Sequence, residues 1–176
     1  MAETDPASRP RSTAPAATTL RPMTAEEWPA WAAHIDRGYV DQMVEMGGMS
    51  VEAAEAKAAA DWPVLLPDGP LTAGHSYFVA ESAGERVATL WLGERDDELD
   101  GELVWVYDIE VDEQRRGQGH GRAVMELAEE EARSRGRHRI GLNVFARNVP
   151  AIALYTSMGY RTVRSYDAGQ NMLKDL

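Results

Sequence analysis

Apolar residues return along this chain with two distinct periods, and the switches between them mark out its elements. Trp28, Trp31, Ile35, Tyr39, Met43 and Met46 recur at helical spacing, after Thr24-Ala25-Glu26-Glu27, which has the form of a capping box, and before a Gly47-Gly48 stop. Ser50 can cap a second helix through Val51, Ala54 and Ala58, and the Trp62-Pro63 step is expected to end it, because the residue before proline is pushed out of the helical region. Leu65 to Gly69 is a turn-bearing loop. The period then drops to two. Tyr77–Glu81 and Arg86–Leu92 read as strands about a Ser82-Ala83-Gly84 turn, Leu103–Val111 as a third, and Thr18–Arg21 as a short first strand. After Gly121 the helical period returns with Val124, Leu127, Ala128 and Ala132 on one face, and Glu129/Arg133 and Glu131/Arg135 form i,i+4 pairs on the outside. Ile140, Leu142 and Val144 alternate as a strand. Asn148 can then cap a helix whose Ala151, Leu154, Tyr155 and Met158 share a face, closed by Gly159. Tyr160–Tyr166 and Gln170–Leu173 can form a last hairpin.

These elements predict an α+β fold with a mostly antiparallel sheet of six to seven strands and about four helices. A helical crossover from Val111 to Ile140 makes those two strands parallel inside it. At 176 residues the chain suits one domain. Residues 1–17, rich in Pro, Ala, Ser and Thr without apolar periodicity, read as a disordered tail, leaving 18–176 as the domain.

The most informative segment is Gln114 to Leu127, where a glycine-rich turn leaves an apolar strand and opens an amphipathic helix. Gly117, Gly119 and Gly121 keep side chains away from the main chain, and free N–H groups at a helix start attract anions. A nucleotide loop of the Gly-Lys-Ser/Thr kind does not fit, since His120 and Arg122 follow the glycines. A dinucleotide fingerprint fits poorly: the glycines run GxGxG, Asp112 to Arg115 intervene, and the following strand ends at Asn143 to Arg147 without an acid. The pattern that does fit is Gln/Arg-x-x-Gly-x-Gly/Ala, met by Gln114, Gly117 and Gly119.

That loop resembles the acyl-CoA loop of the GNAT N-acetyltransferases, and a second ordered block resembles the family too: Asn148-x-x-Ala151-x-x-x-Tyr155 followed by Gly159-Tyr160. Matching segments run from about Tyr77 to the end, and residues 20–75 match only in their order of elements. Glu113 stands where proline is common and His120 where an aliphatic residue is usual; neither removes a backbone donor. The resemblance implies a GNAT-like sheet with its parallel pair around an acetyl-CoA site, and direct acetyl transfer from acetyl-CoA to a primary amine in a ternary complex. It implies cofactor contacts from Arg116, Gly117, Gln118, Gly119, His120, Gly121 and Arg122, from the backbone of Ile109, Glu110 and Val111 beside the pantetheine arm, and from Asn148 and Ala151. It also implies that Tyr155 protonates the departing thiolate.

Each residue has a plainer reading beside that one. Tyr155 can be a core tyrosine and Asn148 only a helix cap. Asp108 and Glu110 share a strand face, opposite Ile109 and Val111, and either can be the base, directly or through water, or simply be solvated or ion-paired. His120 is expected to pack or face solvent, and His34, His75 and His138 lack metal-ligand spacing, so no metal is expected. Trp28, Trp31, Tyr39 and Trp91 are core residues, of which one or two can line an amine pocket.

Composition narrows the chemistry. The absence of cysteine excludes a thiol nucleophile and thiolate metal sites. A net charge of −11 argues against a broad nucleic-acid or anionic-membrane surface, so no nucleic acid and no membrane partner are expected. The acidic run Glu94–Glu102 reads as a solvated hairpin tip or a steering field for a cationic amine. No apolar run approaches a membrane span and no signal pattern opens the chain, so a cytoplasmic location is expected. The expected partner is a small-molecule or protein amine; the family also often forms homodimers. A non-catalytic acyl-CoA-binding sensor or regulatory module, or a nucleotide-binding protein using the same amides, are the alternatives.

Overall fold

The computed structural model describes residues 17–97 and 101–176. Residues 1–16 of the expected tail and residues 98–100 of the expected hairpin tip lie outside the described residues. The chain runs β1 (Thr18–Pro22), α1 (Trp28–Gly47), α2 (Val51–Leu65), β2 (His75–Ser82), β3 (Glu85–Asp97), β4 (Gly101–Val111), α3 (His120–Ser134), β5 (Arg139–Phe145), α4 (Val149–Ser157), β6 (Arg161–Tyr166) and β7 (Gly169–Asp175). One seven-stranded sheet has the order β1-β2-β3-β4-β5-β7-β6, and its only parallel pair among the described residues is β4–β5.

The predicted local signals operate as expected at most boundaries. Thr24 and Glu27 exchange capping-box bonds, with Glu27 Oε2 2.8 Å from the Thr24 amide and Thr24 Oγ1 3.3 Å from the Glu27 amide. Ser50 Oγ accepts from Ala53 N at 3.2 Å, and Gly48 closes α1 in the left-handed conformation. Ala83 and Gly84, both at positive φ, make the two-residue turn between β2 and β3.

Three expectations need correction. Helix α2 does not stop at Trp62-Pro63 but continues to Leu65, because Trp62 is fixed by stacking on Trp91 and by donating its indole N–H to Asp36. Glu129 is not on an outer face. It is buried, and both its oxygens accept from Lys174 Nζ of β7 at 2.7 Å, while the expected i,i+4 ion pair with Arg133 forms at 3.8 Å. The acidic run is not all hairpin tip, since β3 extends to Asp97 and β4 restarts at Gly101, and Arg137 bonds both Glu94 and Glu102.

The two sheet faces carry different cores. Helix α3 lays Val124, Met125, Ala128 and Ala132 on one face, against Leu90, Val104, Ile140 and Tyr155. On the other, α1 and α2 enclose an aromatic cluster of Trp31, Tyr77 and Trp91 with Leu66. Burying such side chains stabilises the fold by about 1.5–3 kcal/mol each.

Strand β4 shares both cores because it changes parity part-way. Trp91 pairs with Asp108 but Leu92 with Val106, so Tyr107 is an extra, unmatched residue, a β-bulge. Before it, Val104 and Val106 face α3; after it, Ile109 and Val111 take over that face. Tyr107 lies against Gly93 of β3, where a Cβ would stand 2.5 Å from its ring. Simple alternation from Val104 would have turned Asp108 toward α3. The bulge turns Asp108 and Glu110 to the other side instead.

Candidate active site

Strands β4 and β5 are paired only at Val104–Ile140, Trp105–Gly141 and Val106–Leu142. Beyond the bulge β4 stays with β3 as far as Val111, while β5 stays with β7 as far as Phe145, so the two part and open a notch. The edge of β4 from Tyr107 to Val111 therefore has no strand partner on that side among the described residues, and its free amides and carbonyls can take an extended ligand as a further strand.

The glycine loop closes one end of the notch. Gly117 at φ +74° and Gly119 at φ +89° are left-handed, and a Cβ built on either meets nothing within 4 Å, so the space over the loop is open. Gly119 is the N-cap of α3 without any side-chain cap, which leaves the first-turn amides directed outward. A Cβ on Gly121 would sit 3.4 Å from Leu154 of α4 and 3.7 Å from Val111, so loop, strand end and α4 converge there. Arg122 fastens the same corner by donating to Ser157 Oγ at 2.6 Å. Arg116 donates to the Val111 carbonyl at 3.1 Å, and Gln118 to the Gln114 carbonyl at 3.0 Å.

The remaining predicted residues fall around this corner in distinct ways. Tyr155 is buried in α4, and Ile109 and Val111 pack on the α3 core. Asn148 caps α4 through its Oδ1, which accepts the Ala151 amide at 3.2 Å, so that amide is already used. His120 is buried at the start of α3 with Nδ1 3.2 Å from Thr18 Oγ1, a packing position that ties β1 to α3.

Asp108 is the least satisfied polar group of the corner. Its Oδ2 is enclosed and has no hydrogen-bond partner among the described residues. Burial pushes its carboxyl up to about 7; the Glu110 charge adds to this and His34 opposes it. Tyr155 is pushed up to about 12, first by burial and then by the Asp108 charge, which sets the two side chains within electrostatic reach of each other.

On the α1 side, Glu110 opens into a cleft of about 950 Å³ between α1 and strands β2–β4. Glu27, Ala30, Trp31 and His34 line it from α1, an i, i+3, i+4, i+7 stripe beside the apolar one. Trp31 is thus both core and wall, whereas Trp91 is buried. His34 is a residue that sequence reasoning missed. Its Nε2 lies 2.6 Å from Glu110 Oε2 across 76 residues of sequence. Only its place on the Glu27–His34 stripe could have pointed to it.

The family profile described as Acetyltransferase (GNAT) family matches residues 33–160. The chain belongs to this acetyltransferase family. It is 30% identical over 145 residues to the uncharacterized N-acetyltransferase YdgE of Bacillus subtilis, covering 82% of this chain and 92% of that protein. The crystal structure of YycN from Bacillus subtilis, an uncharacterized N-acetyltransferase, superposes with a TM-score of 0.77 at 26% identity, over 90% of this chain and 98% of that one. The PaiA N-acetyltransferase of Thermoplasma acidophilum, solved with coenzyme A, shares the fold at a TM-score of 0.62 and 12% identity, over 90% and 99% of the two chains. Among the described residues no group of three or more His, Asp or Glu is placed to hold a metal, and no helix is long and apolar enough to cross a membrane.

Proposed function

We propose that this acetyltransferase moves an acetyl group from acetyl-CoA directly to a primary amine, with both substrates bound together. The observation that carries the reading is the enclosed, unpartnered carboxyl of Asp108 where β4 and β5 part, with buried Tyr155 of α4 within its electrostatic reach, one group suited to taking a proton and the other to giving one. Acetyl-CoA fits the corner: the open left-handed glycines and the amides of Gly117 to Arg122 suit a pyrophosphate, and the unpaired edge from Ile109 to Val111 suits an extended pantetheine arm. Arg116 and Arg122 add positive charge, and Asn148 and Ala151 form the cap and first turn of α4.

The amine has to lose a proton before it can attack. A lysine-like amine needs about 4.6 kcal/mol to become neutral at pH 7, and a carboxylate held at about 7 can take that proton at no further cost, whereas one at the ordinary 3.8 would add to it. As the thioester breaks, the Tyr155 hydroxyl donates its proton to the departing sulfur. The two steps support each other: once Asp108 has taken the amine's proton, its charge no longer holds the Tyr155 proton back. With no cysteine in the chain, a thiol acyl-enzyme is excluded.

Free-thiol release from acetyl-CoA, measured with an amine panel led by small cations in view of the net charge of −11, tests the reading. Intersecting initial-velocity patterns are expected. Parallel patterns would mean a covalent intermediate, and tight acetyl-CoA binding without thiol release from any amine would mean a sensor.

A further inference from the structure

Two carboxylates stand on the same face of β4, and only one of them is compensated. Glu110 meets His34 Nε2 at 2.6 Å from α1 and Arg116 Nη2 at 4.0 Å from the glycine loop. Asp108 keeps its enclosed, unpartnered oxygen. The titratable groups that act on Asp108 are Glu110 from its own strand and His34 from α1; Asp108 in turn acts on Tyr155 of α4, and uncharged Trp91 stands opposite it on β3. Arg116 acts from the loop through Glu110. A bare Glu110 would oppose any charge on Asp108, because like charges at short range disfavour ionisation.

We infer that His34 is a positioning residue of the acetyl transfer: by holding Glu110 from α1, it supplies the counter-charge that lets Asp108 ionise beside the amine. The inference rests on the proposed role of Asp108 as the base. His34 acts through Glu110 and its charge, not on the reacting atoms. An imidazole Nε2–H donates to a carboxylate, so the 2.6 Å contact holds Glu110 from α1. The separate influences agree in sign, Glu110 pushing Asp108 up and His34 pulling it down. Helix α1 thereby contributes to the chemistry of a strand against which it packs, and movement of α1 would alter the base as well as the cleft.

His34→Gln keeps an N–H donor for Glu110 and removes the charge. Carbon-13 titration of the Asp108 carboxyl in the ligand-free enzyme, with Asp108→Asn used to identify its signal, reads the effect without turnover. The pH profile of kcat/KM with one fixed amine reads it in the reaction. In His34→Gln the Asp108 midpoint and the acid limb of kcat/KM should both rise by about 0.5–1 pH unit. In Glu110→Gln both should fall, and the double variant should lose most of the rise. At 1 M salt, where the screening length is about 3 Å, the shifts should shrink. An unmoved Asp108 midpoint in folded His34→Gln, or one that moves equally when Glu110 is already glutamine, overturns the inference. A midpoint that moves while the kcat/KM limb stays fixed removes Asp108 as the base, and with it the positioning role. Absence of turnover with a moving midpoint defeats the proposed function and leaves the electrostatic link between His34 and Asp108 standing.

Discussion

Replacing Asp108 by asparagine separates stability from catalysis in a way the enclosed carboxyl dictates. The folded protein holds this carboxyl at about 7, whereas the ordinary value is 3.8, chiefly because burial disfavours the charge. Between those two values the unfolded chain has released the proton and the folded one still binds it. Stability is therefore greatest at low pH and falls as pH rises through this window, with the full penalty reached above pH 7. At 1.36 kcal/mol per tenfold change in acidity, the gap from 3.8 to about 7 corresponds to at most about 4 kcal/mol. Water entering the notch reduces this, and roughly 2–4 kcal/mol is a fair range. Asp108→Asn carries no such penalty. Its stability relative to the unaltered protein should improve by that amount between pH 4 and pH 8.5, roughly 4–16 °C in relative melting temperature for a chain of this size. Over the same range its kcat/KM should drop 10²- to 10⁴-fold, because an amide cannot take the amine's proton. Calorimetric melts of both proteins across pH, with thiol-release rates on the same samples, check both halves. A melting difference that stays constant from pH 4 to pH 8.5 would falsify the enclosed-charge argument, and an active asparagine variant would remove Asp108 from the mechanism.

Other substitutions probe the rest of the corner. Tyr155→Phe retains the buried ring and loses only the hydroxyl; single-turnover rates should drop 10²- to 10⁴-fold with acetyl-CoA affinity unchanged, whereas a purely structural hydroxyl would cost about 1 kcal/mol of stability and spare the rate. Gly119→Val places a branched side chain in open space at φ +89°, so it should cost about 1–2 kcal/mol through backbone strain and abolish acetyl-CoA binding; unchanged calorimetric affinity in the folded variant would refute the loop's role. Deleting residues 1–14 should leave melting temperature and acetyl-CoA affinity intact, since β1 begins at Thr18, and a large fall in melting temperature would place the domain boundary earlier.

Much of this protein is written in its local sequence. The capping box at Thr24–Glu27, the Ser50 and Asn148 caps, the Ala83-Gly84 turn and the glycines before α3 are short-range chemistry, and each acts in the fold where the sequence puts it. The period-two runs and the single helical crossover were enough for the sheet and its parallel pair. The family pattern was legible for the same reason, because a loop that exposes backbone amides needs glycine at fixed spacing. What the sequence did not contain was set by packing across the sheet. Proline 63 was overridden because Trp62 is held by Trp91 and Asp36, and Glu129 went inward because Lys174 arrives from β7 to meet it. The bulge at Tyr107 is visible only once β3 and β4 are in register. That one extra residue turns Asp108 and Glu110 away from the α3 core, and its added twist falls where β4 and β5 begin to part. The tertiary fold alone brings His34 across 76 residues to Glu110 and encloses Asp108 within electrostatic reach of Tyr155, since the solvation and charge that set a proton affinity belong to surroundings assembled from distant parts of the chain.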